Sequence, residues 1–138
     1  MTPILLDSSV IVALLNRREH SHARSVKATR EIRQPLFTCE AVITECCFLL
    51  KHRREAESDM FANLVNGAFQ IQFELKRSAA AVLALMHKYR DVPMSLADAC
   101  LVQMADELDT GDILTLDSDF SHYRWRKNKK FNLLIPLG

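Results

Sequence analysis

Pro3-Ile4-Leu5-Leu6-Asp7-Ser8-Ser9-Val10-Ile11-Val12-Ala13-Leu14-Leu15 places a short apolar run, an acid, two serines and a longer apolar run in one line. Ile4 to Leu6 reads as a buried strand. Ser8 or Ser9 can cap a helix running to Leu15. Asp7 therefore stands at the carboxyl end of a strand and just before a helix.

The same alternation continues outward. His20 to Arg33 reads as a mostly exposed helix, Pro35 to Thr38 as a strand, and Glu40 to Arg53 as a helix that Thr38 can cap. Glu55 to Val65 reads as a helix ending near Gly67. Phe69 to Leu75 alternates apolar and polar residues, the period of a half-buried strand. Ser78 to Tyr89 and Ser95 to Leu108 are helical, and Gly111 marks the turn after the second. Asp112 to Leu116 and Phe131 to Ile135 read as strands. Strands alternating with helices imply an α/β fold with a mainly parallel sheet covered on both faces.

Composition bounds what such a chain does. The 138 residues suffice for one domain, expected to span 1–138. Hydrophobic content of 49% and charged content of 25% fit a soluble globular protein, expected to be cytoplasmic. No apolar stretch approaches the roughly 20 residues that span a bilayer. Net charge of +1 favours no partner by itself. Cys39, Cys46, Cys47 and Cys100 contain no Cys-x-x-Cys pair, and with His52 they match no zinc spacing, so they read as reduced, buried thiols.

Four acids occupy positions where acids are costly. Asp7 and Asp117 each end an apolar strand, and ligands of parallel sheets bind beyond the strands' carboxyl ends. Glu45 has Ala41, Val42, Phe48 and Leu49 as helix neighbours, so it shares an apolar stripe. Asp98 shares its face with Leu101 and Val102. Each acid also has an ordinary role open to it. Asp7 can cap a helix, Asp98 can complete a capping box with Ser95, and Asp117 can start a turn with Ser118. An unpaired buried carboxylate costs several kcal/mol, on the order of the stability margin of a domain, so four together point to a shared divalent cation.

In order and spacing, Leu6-Asp7-Ser8-Ser9, Thr44-Glu45, Ala97-Asp98-Ala99 and Thr115-Leu116-Asp117-Ser118-Asp119-Phe120 resemble the PIN domain, and within that family the small single-domain proteins typified by VapC toxins. The resemblance implies a three-layer α/β/α sandwich and a ribonuclease dependent on Mg²⁺ or Mn²⁺. It maps the catalytic acids to Asp7, Glu45, Asp98 and Asp117, and the metal ligands to Asp7, Asp98, Asp117 and Asp119, with Asp117 or Asp119 as the fourth acid. Ser9 and Thr115 match polar residues that orient a carboxylate. It implies hydrolysis by activated water, leaving a 5′-phosphate and a 3′-hydroxyl, and an antitoxin protein as partner. A homodimer is expected too, since the apolar residues of Met60 to Val65 suit an interface as well as a core.

RNA also needs cations. Arg124, Arg126, Lys127, Lys129 and Lys130 follow Asp119 closely, with Trp125 among them to stack on a base. The run is unusually basic for this family, and its ordinary role would be a solvated turn. Lys51-His52-Arg53-Arg54 forms a second cluster, although cations also suit helix C-termini through the macrodipole. The histidines at 20, 22, 52, 87 and 122 lie in polar surroundings and read as surface residues. The competing function is a nucleic-acid- or partner-binding module with the same fold and little turnover. A phosphotransferase using an aspartyl phosphate at Asp7 would need an aspartate where Ser9 stands.

Overall fold

The computed structural model describes residues 2–137. In chain order its elements are β1 (Ile4–Leu6), α1 (Ser8–Leu15), α2 (His22–Arg30), β2 (Leu36–Thr38), α3 (Glu40–Leu49), α4 (Arg54–Val65) and β3 (Phe69–Ile71). There follow α5 (Leu75–Lys88), α6 (Leu96–Leu108), β4 (Asp112–Leu114), a 3₁₀ turn (Ser118–Ser121), β5 (Arg124–Trp125), β6 (Lys129–Lys130) and β7 (Asn132–Leu133).

Five strands form one parallel sheet in the order β3-β2-β1-β4-β7. Leu5 pairs with Phe37 on one side and Ile113 on the other, so β1 is central. The chain moves from β1 to β2 to β3 and then returns across the sheet to β4. Parallel crossovers are right-handed, so reversing direction puts the later helices on the opposite face. α1 packs against α2, α3 and α4, whereas α5 pairs with α6, which completes an α/β/α sandwich. The reversal also makes the β1–β4 junction the topological switch point of the sheet.

The core is apolar and continuous. Leu5, Leu6, Ile113 and Leu114 from the central strands, Val10 and Ile11 from α1, and Leu101 and Val102 from α6 are fully buried. No helix among the described residues is long and apolar enough to cross a membrane.

Several expected boundaries move, each for a local reason. Asp7, not a serine, caps α1 by accepting the Ser8 N–H at 2.8 Å. Thr38 does not cap α3: its hydroxyl is buried and donates to the Leu6 carbonyl at 2.9 Å, tying β2 to β1. α3 stops at Leu49, Leu50 to His52 form a turn, and Arg53 precedes α4. β3 ends at Ile71 because it lies at the sheet edge with β2 as its one neighbour, and α5 starts earlier than expected, at Leu75. Of the stripe around Glu45, Val42 is buried but Phe48 and Leu49 are each 59% exposed, so that stripe marks the margin of the core.

Gly111 is required by a close approach. A methyl group there would overlap the indole Nε1 of Trp125. The indole is buried beside the start of β4 and donates to the Lys130 carbonyl at 3.2 Å. Gly111→Ala should therefore destabilise the fold by about 1–3 kcal/mol, the usual effect of overpacking, seen as a lower thermal midpoint. An unchanged midpoint would refute this packing.

Candidate functional site

Asp7 is 3% exposed, and both its carboxylate oxygens are engaged. One accepts from the Ser8 N–H; the other accepts from Thr115 Oγ1 at 2.7 Å and Ser9 Oγ at 3.0 Å. Burial raises its pKa, and the three donors and nearby Asp117 pull in opposite senses on what remains. Ser9 and Thr115 reach further. Ser9 Oγ accepts the Leu116 N–H at 2.9 Å, and Thr115 Oγ1 accepts the Asp117 N–H at 3.0 Å. The two hydroxyls thus fix the turn after β4 relative to the end of β1.

Asp98, Asp117 and Asp119 come together. Each offers an oxygen within 4.8 Å of the other two, a spacing suited to one ion. Asp98 lies in the first turn of α6, its N–H bonded to the capping Ser95 hydroxyl at 3.1 Å. Asp117 caps the 3₁₀ turn by accepting the Asp119 N–H at 2.9 Å, which holds both acids in one loop. Asp7 and Asp117 therefore serve as the cap and turn residues foreseen, whereas the capping box of Asp98 is only half formed: Ser95 caps α6, but the Asp98 carboxylate bonds Tyr123 instead of reaching back to Ser95. Of the two candidates for fourth acid, both join Asp98. Glu45 is half-buried and accepts from Ser8 Oγ at 2.9 Å, linking α3 to the start of α1.

The electrostatics follow from this crowding. Burial, opposed by the Tyr123 hydroxyl and reinforced by Asp7, Asp117 and Glu45, pushes Asp98 up to about 7. Burial and Asp117 raise Asp119, against the pull of His122. Tyr123 is fully buried and donates to Asp98 Oδ2 at 2.8 Å. Its ring packs edge-on against Tyr89 and Phe120. Sequence reasoning missed Tyr123, because a tyrosine in an irregular segment carries no periodicity that would point it at Asp98.

The basic run lies elsewhere than expected. Near Asp119 in sequence, it folds back as the β5–β6 hairpin along α6. Its turn residues Arg126 and Lys127 have φ of 44° and 71°. The Arg126 guanidinium pairs with Asp109 at 2.9 Å, and Asp106 Oδ1 accepts the Arg126 N–H. Asp106 is eight residues beyond Asp98 on α6, about 12 Å at a rise of 1.5 Å per residue. Lys127, Lys129 and Lys130 are exposed at that far end. Trp125, expected to stack on a base, is buried against Gly111 with its N–H already bonded, which removes it from that role. Arg124 turns its guanidinium to the carbonyls of Ser121, His122 and Tyr123.

The PIN domain profile matches residues 4–126. The chain belongs to the PIN domain family. This PIN domain is 27% identical to ribonuclease VapC26 of Mycobacterium tuberculosis, over 98% of this chain and 94% of that protein. Its fold matches the crystal structure of Mycobacterium tuberculosis VapC20, a sarcin-ricin loop cleaving toxin, with a TM-score of 0.79. That likeness covers 86% of this chain and 93% of VapC20 at 17% identity, so it speaks to the fold.

The donor set of this PIN domain suits a hard divalent cation. The cluster offers carboxylate oxygens alone, and the four cysteines are free and outside it. The raised acids give a pH signature. A carboxyl whose folded pKa lies above its unfolded value binds more protons folded than unfolded between the two values. Stability then falls as pH rises from about 4 to about 7, the interval spanned by Asp98. Chelator-treated protein should melt higher at pH 5 than at pH 8. Mg²⁺ or Mn²⁺ should raise the pH 8 midpoint and do little at pH 5, where protons compete for the carboxylates. Tyr123→Phe removes a donor to the charged form of Asp98, so the pH midpoint for Mn²⁺ binding by calorimetry should move upward. A downward or absent shift would refute the assigned role of Tyr123.

Proposed function

We propose that this PIN domain is a metal-dependent ribonuclease of the VapC kind, using Mg²⁺ or Mn²⁺ to hydrolyse RNA phosphodiester bonds. The observation that carries the reading is the gathering of Asp98, Asp117 and Asp119 beside buried Asp7 at the sheet's switch point. The end-to-end similarity to ribonuclease VapC26 supports it.

When bound, a divalent cation supplies positive charge against the phosphate oxygens and makes water a stronger acid. Asp98, Asp117 and Asp119 are the residues that would hold it, with Asp7 adjoining them. Asp98, whose proton affinity burial raises, would be held as a carboxylate by that positive charge. Tyr123 keeps its carboxylate aimed by one hydrogen bond, while Ser9 and Thr115 do the same for Asp7. Glu45, which accepts from Ser8 Oγ on the α3 side, would take a proton from the attacking water. Lys127, Lys129 and Lys130 add attraction for a polyanion at longer range.

The partners follow from the same surface. A protein antitoxin that presents an arginine to the acids would neutralise them and block substrate. A homodimer is the second expectation. Met60 is buried in the core, whereas Phe61 and Val65 on α4 are 49% and 89% exposed, leaving an apolar strip to cover.

Single-stranded RNA incubated with purified protein should be cleaved with Mn²⁺ and left intact with chelator. Asp98→Asn should lower the rate at least ~100-fold, since even residues that merely orient metal ligands are worth about 10–100-fold. RNA left intact with Mn²⁺ would instead mean a binding module.

A further inference from the structure

A second charged site lies at the other end of α1 and α3. These helices touch near the acids, where Ser8 meets Glu45. At the far end of α1, and in the turn that follows α3, the chain frames a cavity of about 510 Å³. Arg17, Arg18, Arg53 and Arg54 line it. Glu55 and Asp59 line it too, yet none of the four guanidiniums pairs with them, since the one ion pair among the described residues is Arg126–Asp109. The first turn of α4 faces the same cavity, and no side chain caps it. Four unneutralised arginines and an uncapped helix start, converging on one hollow, form a site for anionic oxygens.

Between this hollow and the acids, α3 exposes Phe48, three residues beyond Glu45, with the Lys51 ammonium 4.4 Å from its ring. An exposed aromatic ring followed by clustered cations suits a single strand, with a base on the ring and phosphates among the arginines. A lone phosphate would have no use for the ring. We propose that the arginine hollow holds backbone phosphates of the RNA strand whose scissile bond lies at the acids, with α3 as the path between them. This assigns a function to Lys51-His52-Arg53-Arg54 beyond the C-terminus of α3. It rests on the ribonuclease reading for the identity of the strand, but binding alone tests it.

The test uses the full chain carrying Asp98→Asn, or the parent chain in chelator, so that no cleavage occurs. Fluorescence anisotropy follows a labelled single-stranded oligoribonucleotide over a salt series. Arg17→Gln with Arg53→Gln, both exposed positions, should weaken binding about tenfold. The slope of log affinity against log salt should fall by about 1.4, at about 0.7 for each phosphate no longer neutralised. Phe48→Ala should weaken binding while leaving that slope unchanged. Equal affinity and slope in the double arginine variant would overturn the proposal. So would loss of inorganic phosphate binding with RNA affinity intact, which would mark a small-anion site. Binding without cleavage by the parent chain in Mn²⁺ would sink the ribonuclease reading and leave the arginine hollow as an RNA-binding site alone.

Discussion

The carboxylate of Asp7 is the point from which the carboxyl edge of the sheet is organised. Left alone in the interior it would be costly; hydrogen bonds from three residues make it tolerable, each charge-assisted bond contributing about 1.5–3 kcal/mol. Those same bonds begin α1, join the end of β1 to the end of β4, and hold the turn that carries Asp117. Removing the acceptor would release a helix start and two hydroxyls together. Local structure and site geometry are one network here.

Around that anchor the fold concentrates like charge. The β1–β4 junction is where the sheet's winding reverses, so the two strand ends diverge from their helices and leave a cleft. Asp98 enters it from α6, and Asp119 from the 3₁₀ turn. Burial first, and the neighbouring acids after it, push Asp98 up to about 7. Such clusters lower the stability of the bare fold and are retained where a function uses them.

Much of this is legible in the sequence, for identifiable reasons. A polar residue closing a short apolar run marks the end of a buried strand, and that pattern places Asp7 correctly, whereas β4 ends at Leu114 and leaves Asp117 three residues further on, capping the 3₁₀ turn. The alternation of strands and helices implies the parallel sheet and its two covered faces. The stripe that singles out Glu45 is only half a core stripe: Val42 is core, but Phe48 and Leu49 face outward, because an apolar helical stripe can mark a surface as well as a core. Tyr123 is invisible in the sequence, since its tie to Asp98 depends on how an irregular loop returns to α6. The basic run misleads because nearness to Asp119 in sequence is not nearness in space: β5 runs along α6, and the hairpin tip meets Asp106 and Asp109 at its far end.

The cap on α1 has an evolutionary consequence. Asparagine starts a helix about as well as aspartate does. A change at position 7 from one to the other would preserve the acceptor for the Ser8 N–H and delete the negative charge, but would turn an amide NH₂ toward the Ser9 and Thr115 hydroxyls that donate to the second oxygen. At this position the helix start is separable from the charge, whereas the tie between β1 and β4 is not. A lineage that lost this acid would keep the start of its first helix and would have to rebuild the join beneath it.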